Sequence, residues 1–243
     1  MNQRGIFLTA AWRQLVLLNF AIDPALLTHY LPRGTELDFH RGETYVSIVG
    51  FLFQETSICG LPALGHRDFT EVNLRFYVRR QVAGQWRRGV VFIQEIVPRP
   101  AVTWIARTLY GENYITRPMQ QILEYHGENA RPRSVEYRWQ QAGRWNLAGL
   151  TCPDQPPALP HPDSLDEFII EHYWGYTCAA SGKTCEYQVE HPPWQILPAE
   201  RVSWDCDAVA TYGQEFAAVL SRPPTSAFLA MGSEIAVRWA NKL

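Results

Sequence analysis

The clearest pattern in the sequence is an alternation of polar and apolar residues between Thr70 and Arg80. Because successive side chains of a β-strand point to opposite faces, this segment is predicted to be a strand with two unlike faces. The apolar face carries Val72, Leu74, Phe76 and Val78, and the polar face carries Glu71, Asn73, Arg75 and Tyr77. Such a polar face is either the wet side of an open sheet or the lining of an internal chamber.

Similar patterns predict that strands dominate the rest of the chain. Apolar runs bounded by Gly, Pro and Asn predict strands at 7–20, 36–39, 44–53, 85–97, 113–118, 122–126, 134–140, 145–150 and 234–239, with a hairpin across Ser181 and Gly182. Helical spacing and capping residues predict short helices at 24–30, 101–110, 164–172 and 208–220. The Pro-rich stretch 152–162 is predicted to be a surface linker.

The composition supports one globular unit. Of the 243 residues, 47% are apolar and 19% are charged, which is the balance of a chain with a well-buried core. Aromatic residues make up 13%, and their rings usually fill sheet interiors or pocket walls. We therefore expect a β-rich α+β fold in a single domain that spans residues 1–243.

Charge and cysteine usage exclude several classes of function. The net charge is −2 and no basic stripe is present, so nucleic-acid binding is not expected. No apolar stretch has the length of a membrane span, and no secretion signal opens the chain. The five cysteines form no Cys-x-x-Cys pair, and the histidines match no ligand spacing. These features predict a cytoplasmic protein without a membrane partner, a metal or a cofactor.

The polar strand face is the strongest candidate for chemistry. If it lines a closed chamber, Glu71 and Arg75 lie in a low-dielectric space where they can hold a polar ligand or share a proton. Glu95 on the neighbouring strand would add a second carboxylate, and close carboxylates push each other's pKa values apart. If the face is open to water, the same residues form ordinary surface salt bridges. The residues themselves leave both interpretations open.

Further anchors for an anionic ligand lie outside this strand. Arg99 stands between two prolines, and Tyr114 and Arg117 lie in the next predicted strand. His191 precedes a Pro-Pro-Trp corner and could form a pocket wall. Each of these residues also has a purely structural interpretation, as the brace of a loop or as a wedge in the core.

Several segments of the chain form a recognisable set. They are Trp12-Arg13, Leu18-Asn19-Phe20, Leu31-Pro32, Gly34-Thr35-Glu36-Leu37, Val49-Gly50-Phe51, Glu71 to Val78, Gly89-Val90-Val91-Phe92 and Glu190-His191-Pro192-Pro193-Trp194. This set resembles the YqjF-like family of uncharacterised bacterial proteins. That family is similar in turn to acetoacetate decarboxylase, whose fold is a closed, bent antiparallel β-barrel with a few peripheral helices. The resemblance implies that the polar strand face lines the barrel cavity, with Glu71 in the place of a decarboxylase glutamate and Arg13 among the ligand-binding candidates.

The decarboxylase lysine has no counterpart in this sequence. In the decarboxylases a reactive lysine attacks a ketone to form a Schiff base, whereas the matching segment here, 113–119, offers Arg117 but no amine. The only lysines of the chain are Lys183 and Lys242, and an arginine cannot form the imine. Decarboxylation through a Schiff base is therefore not expected.

The sequence thus predicts a cavity that binds a small molecule with a carboxylate or an enol oxygen, held by Arg75, Arg117 and Glu71. One alternative is a lysine-independent lyase, hydratase or tautomerase acting on a keto acid or enol, with Glu71 or Glu95 as general acid or base. Another is a structural or oligomerisation module with a filled barrel. Catalytic turnover and homo-oligomer formation are both left open by the sequence.

Overall fold

The computed structural model describes residues 4–127, 131–178 and 182–243, and strands make up most of them. The strands are β1 (Ile6–Ile22), β2 (Glu36–Leu37), β3 (Thr44–Ile58), β4 (Leu61–Pro62), β5 (Phe69–Val82), β6 (Gln85–Val97), β7 (Tyr114–Thr116), β8 (Met119–His126), β9 (Arg131–Gln141), β10 (Arg144–Thr151), β11 (Trp174–Cys178), β12 (Thr184–Glu190), β13 (Ile196–Pro198), β14 (Arg201–Asp205), β15 (Ser226–Arg238) and β16 (Asn241–Lys242). The fold is therefore sheet-rich, as predicted.

The helical segments are short, and two of them begin at capping residues that the sequence indicated, Asp23 and Ser164. They are α1 (Pro100–Leu109), α2 (Leu165–Ile170), α3 (Ala208–Tyr212) and α4 (Gln214–Leu220), with two 3-10 turns at Pro24–Leu26 and Thr28–Tyr30. Asp23 accepts a hydrogen bond from the backbone N–H of Ala25 at 2.9 Å, and Ser164 accepts one from Glu167 at 3.2 Å. Such side-chain caps satisfy backbone donors that the first turn leaves free.

The larger sheet returns to its own starting strand. Its strands follow the order β13-β15-β1-β3-β5-β6-β11-β12-β16, and β12 also pairs with β15. The pairings therefore form a ring through β15, β1, β3, β5, β6, β11 and β12. We call this set of strands the ring.

The smaller sheet packs outside the ring and buries the apolar face of β5. Its order is β14-β10-β9-β8. Tyr137 and Trp139 of β9 share one buried cluster with Leu74 and Phe76 of β5. A Cβ added to Gly50 of β3 would lie 2.6 Å from Cδ2 of Tyr137, so glycine is required where the Tyr137 side chain packs against β3. The predicted apolar face of β5 is thus confirmed as part of the core between the two sheets.

The polar face of β5 is buried as well. Glu71, Asn73, Arg75 and Tyr77 are 2%, 1%, 8% and 1% exposed, so this face is not the wet side of an open sheet. Of the two interpretations that the alternation allowed, the structure supports an internal lining.

The structure corrects several local predictions. The sheet is not wholly antiparallel, because β6 pairs in parallel with β7 and with β11. Parallel neighbours need a crossover connection, and here the chain crosses through α1 before β7 and through β8, β9 and β10 of the smaller sheet before β11. The helix expected at 208–220 is interrupted at Gly213, whose φ of +104° lies outside helical geometry.

Other predicted bounds also differ. The segment 24–30 forms 3-10 turns, and the last long strand begins at Ser226 instead of residue 234. The short strands β13 and β14 were not predicted, because three and five residues carry too little alternation to be recognised. The two strands of the hairpin expected across Ser181 and Gly182 are β11 and β12, which pair antiparallel. Ser181 itself lies outside the described residues. No helix within the described ranges is both long and apolar enough to cross a lipid bilayer.

Candidate functional site

A cavity of about 310 Å³ lies inside the ring. Aromatic rings supply much of its wall, namely Trp12, Phe51, Phe53, Phe69, Phe92 and Trp194. A smaller set of lining residues is polar, and it includes Glu71, Asn73, Arg75, Glu95, Glu112 and Tyr114. An apolar chamber with a few convergent polar groups is the usual form of a small-molecule site.

Strand register explains why these polar groups meet. Asn73 on β5 pairs with Glu95 on β6, and Glu95 pairs in turn with Tyr114 on β7. Glu71 lies two residues before Asn73 and therefore on the same face of β5. Three neighbouring strands thus direct their polar side chains into one part of the cavity.

Glu71 is held by two hydrogen bonds. Nδ2 of Asn73 donates to its Oε1 at 2.9 Å, and the hydroxyl of Tyr114 donates to its Oε2 at 2.8 Å. Burial raises the pKa of Glu71 to about 7, although these two bonds and the charge of Arg75 act in the opposite direction. Glu71 can therefore gain or lose a proton near neutral pH, as a general acid or base must.

Glu95 and Glu112 join Glu71 to form a group that we call the carboxyl cluster. Burial raises the pKa of Glu95 well above its ordinary value, and the nearby Glu112 and Glu71 raise it further. Glu112 accepts a hydrogen bond from the Tyr187 hydroxyl at 2.6 Å. Burial raises the pKa of Glu112 to about 8 in spite of that bond, and Glu71 adds to the rise. The cluster therefore retains protons at neutral pH, because close buried carboxyls cannot all ionise.

Arg75 brings a buried positive charge into the same cavity. It is the only arginine or lysine among the described residues that line the chamber. Its Nη2 donates a long hydrogen bond of 3.5 Å to the carbonyl oxygen of Ile169, and its Nε has no partner in the described structure. Its guanidinium lies 5.7 Å from the ring centre of Tyr77. No carboxylate of the described residues forms an ion pair with this arginine.

His172 lies beside this arginine at the cavity wall. Its Nε2 is 3.3 Å from Oδ2 of Asp38, which also accepts a hydrogen bond from Nε of Arg88 at 2.7 Å. Burial lowers the pKa of His172 to about 4, although the bond to Asp38 opposes that shift. The imidazole is therefore neutral near pH 7, and since a carboxylate only accepts, Nε2 carries its proton.

His191 forms part of the wall through ring stacking. Its ring centre lies 4.2 Å from that of Trp194 and 4.6 Å from that of Tyr173. Trp194 is fixed in turn by a hydrogen bond of 2.9 Å from its Nε1 to the hydroxyl of Ser233. The structure thus brings His191 together with Glu71, Asn73, Arg75, Glu95 and Tyr114, and their roles in binding or catalysis stay a prediction.

Three arginines that were predicted to bind the ligand are not among the residues that line the cavity, so the structure does not bring them together with Arg75. Arg13 forms a surface ion pair with Glu234. Arg117 donates to Oε1 of Gln141 at 2.6 Å and to the carbonyl oxygen of Thr116 at 2.8 Å, so it braces β7 against the smaller sheet. Arg99 precedes α1, and its half-buried side chain does not reach the chamber.

Sequence reasoning missed Glu112 and Tyr187. Glu112 follows the end of α1 in an irregular segment, where a lone glutamate is normally solvated, and nothing in the alternation of β12 distinguished Tyr187. Gly111 ends the predicted helix, and nothing in the sequence after it marked Glu112 as buried. In the part of the chain that the structure describes, no group of three or more His, Cys, Asp or Glu residues is arranged to hold a metal ion.

The sequence matches the model of one protein family over residues 9–234, and that family, DUF2071, is described as an uncharacterized conserved protein. The chain belongs to the DUF2071 family. The uncharacterized protein YqjF of Bacillus subtilis (strain 168) is 26% identical over 195 residues, which cover 78% of this DUF2071 chain and 74% of YqjF. The resemblance to the YqjF-like family is therefore confirmed.

Solved structures share the fold of this DUF2071 protein. The enduracididine biosynthesis enzyme MppR complexed with pyruvate superposes with a TM-score of 0.69 at 14% identity, over 100% of this chain and 91% of that chain. Acetoacetate decarboxylase from Legionella pneumophila gives a TM-score of 0.68 at 13% identity, over 100% of this chain and 90% of that chain. At these identities the likeness shows an acetoacetate-decarboxylase-like fold and nothing about activity.

Neither lysine of the DUF2071 chain lies at the cavity. Lys183 directly precedes β12 and Lys242 lies in β16, and both are exposed. Neither belongs to the cavity wall. A covalent imine between a lysine and a molecule in the chamber therefore has no nucleophile there.

Proposed function

We propose that the ring acts as a closed barrel around a small organic acid, whose carboxylate is held by Arg75. The observation that supports this proposal most directly is that the buried guanidinium of Arg75 has no ion-pair partner among the described residues. A buried charge is costly unless it is paired and hydrogen-bonded, and an arginine fork matches a carboxylate in both geometry and charge. An anionic ligand would supply the partner that the described protein does not.

The second contact of such a ligand is with the carboxyl cluster. A carboxyl group that keeps its proton is a hydrogen-bond donor, so Glu95 or Glu112 can donate to a carbonyl or enol oxygen. Glu71 and Arg75 lie four positions apart on one strand, which corresponds to about 13 Å between their Cα atoms. With the long side chains of Glu71 and Arg75 at its two ends, this span leaves room for an acid of a few carbons. A 2-oxo acid or its enol carries both required groups.

The aromatic wall favours a ligand with an apolar body. Trp12, Phe51 and Phe69 line the chamber, and strand register places Phe51 opposite Glu71 and Phe69 two residues before it. Burying apolar ligand surface against these rings adds about 25 cal/mol per Å². MppR, which shares the fold, is described in complex with pyruvate, and this supports a 2-oxo acid as the ligand class. The chamber itself argues against a module with a filled barrel.

A thermal-shift assay with a matched ligand pair tests the proposal. Pyruvate, 2-oxobutanoate and phenylpyruvate are each compared with their methyl esters, which lack the anion. At a ligand concentration of about 100 times Kd, binding stabilises the folded state by roughly 2.7 kcal/mol. For a chain of this size that corresponds to a rise in Tm of about 5–10 °C.

The variant Arg75→Met is expected to abolish the shift, and the esters are expected to give none. The control is Arg144→Met, because Arg144 is exposed and pairs with Asp205 on the surface. A full shift in Arg75→Met, or equal shifts with acid and ester, would show that Arg75 is not the anchor.

A further inference from the structure

The Tyr114 hydroxyl lies between two members of the carboxyl cluster, and this arrangement permits a chemical step on the ligand. The inference rests on the proposed binding of a 2-oxo acid. Tyr114 donates to Glu71 at 2.8 Å, and it is paired through its backbone with Glu95 on β6. The Tyr114 hydroxyl also acts on the Glu95 carboxyl, whose proton affinity it reduces.

Two buried polar groups without a partner among the described residues indicate that the cavity accommodates a ligand. Arg75 is 8% exposed and lines the cavity, and its Nε has no partner among the described residues. Oε2 of Glu95 is buried at the same cavity and likewise has no partner there. Buried polar atoms are normally satisfied, so these two atoms point to a missing ligand.

The surroundings distinguish the charge states of Glu71 and Glu95. Glu71 receives hydrogen bonds from Asn73 and Tyr114 and is close to the positive charge of Arg75, and all three favour its ionised form. Glu95 has two carboxyl neighbours, Glu71 and Glu112, which favour its protonated form. A base and an acid therefore stand side by side at the cavity wall.

We propose that this protein interconverts the keto and enol forms of a bound 2-oxo acid, with Glu71 as the base, Glu95 as the acid and Tyr114 as the group that passes the proton between them. Arg75 holds the carboxylate, and no lysine takes part.

The step is balanced without an oxidant or a further reactant. The C3–H bond breaks and its proton goes to the Glu71 carboxylate, while the electron pair forms the C2–C3 double bond. The carbonyl oxygen takes the proton of Glu95, which completes the enol. Glu71 then gives its proton to the oxygen of Tyr114, and Tyr114 gives its own proton to Glu95. The site returns to its starting state.

Exchange of the C3 hydrogens for deuterium measures this activity. The protein is mixed with 2-oxobutanoate in D2O, and the C3 proton signal is followed by NMR against a buffer blank. Wild-type protein is expected to accelerate the loss of signal. Glu71→Gln and Glu95→Gln are expected to slow it by about 10²- to 10⁴-fold, and the control Glu124→Gln, which alters an exposed residue of β8, is expected to leave it unchanged.

Two further readouts separate chemistry from structure. The wild-type rate is expected to pass through a maximum with pH, and Glu95→Gln is expected to remove the decline at high pH, because that decline reports loss of the acid proton. Tyr114→Phe is expected to lower kcat with little change in KM.

Together with the thermal-shift test, the exchange experiment separates failure of the enolisation step from failure of ligand binding. If 2-oxobutanoate binds through Arg75 but wild-type protein gives no exchange above the blank, the enolisation is refuted and the binding function stands. Wild-type exchange rates in folded Glu71→Gln would refute the assigned base. If no 2-oxo acid binds, both proposals are wrong.

Discussion

Glu112 is expected to make the protein lose stability as the pH rises. Burial raises the pKa of its carboxyl from the ordinary 4.5 to about 8. In the unfolded chain the group releases its proton near 4.5, whereas in the folded chain it keeps the proton up to about 8. The contribution to stability is therefore fully present below pH 4.5, falls between the two values and is lost above the upper one.

The size of the effect follows from the size of the shift. Each pKa unit corresponds to about 1.4 kcal/mol, so the rise at Glu112 corresponds to a loss on the order of 5 kcal/mol. Glu71, with a pKa raised to about 7, acts in the same direction. Since the whole free energy of unfolding of a domain is about 5–15 kcal/mol, the effect is large enough to measure.

Urea unfolding at about pH 5, pH 6.5 and pH 8.5 measures this dependence. The variant Glu112→Gln keeps an acceptor for the Tyr187 hydroxyl but cannot ionise, so its free energy of unfolding is expected to fall less with pH than that of the wild type. Glu124→Gln, which changes an exposed carboxyl, is expected to follow the wild type. The reasoning fails if Glu112→Gln and the wild type lose stability in parallel over the whole range.

Two other predictions concern the missing nucleophile and the packing of the hairpin β11–β12. Treatment with borohydride and a 2-oxo acid is expected to leave the intact mass unchanged, and a reduced adduct mapped to Lys183 or Lys242 would contradict the exclusion of an imine. Gly175→Ala is expected to lower Tm, since the new Cβ would overlap the ring of Tyr187 and overpacking costs about 1–3 kcal/mol. Gly5→Ala, whose new Cβ meets no atom within 4 Å, is the control. Equal Tm values for the two variants would show that the Tyr187 side chain moves aside without cost.

The alternation between Thr70 and Arg80 was sufficient to predict β5, its two faces and the residues on each. It was not sufficient to show that both faces are buried, because burial of the second face depends on which strands close the ring. That information lies in pairings such as β12 with β15, between residues 189–190 and 236–237. Local periodicity contains no trace of contacts at such a separation.

The candidate site was predictable to the extent that its residues share a strand or pair with one. Glu71, Asn73 and Arg75 follow from period two, and Glu95 follows from the adjacent strand. Arg117 had the right chemistry, but it directly follows β7, and its guanidinium donates to Gln141 of the smaller sheet. For Arg117, which lies outside a long alternating strand, the sequence showed the chemical type of the residue but not the direction of its side chain.

The pairing of the ring has a consequence for how molecules enter and leave its interior. Hairpin β11–β12 joins β6 through two residue pairs and β15 through two more in the described structure, whereas β1 and β3 share a ladder along most of their length. Separating the hairpin from its neighbours therefore breaks fewer backbone ladder pairs than parting β1 from β3, and the side-chain ion pairs of Glu186 with Arg80 and Arg87 and of Glu190 with Arg238 must open as well. The same hairpin carries Tyr187, so a motion that admits solute would also break the hydrogen bond that the Tyr187 hydroxyl donates to Glu112. Access to the interior and the protonation of its acids are thereby joined in one structural element.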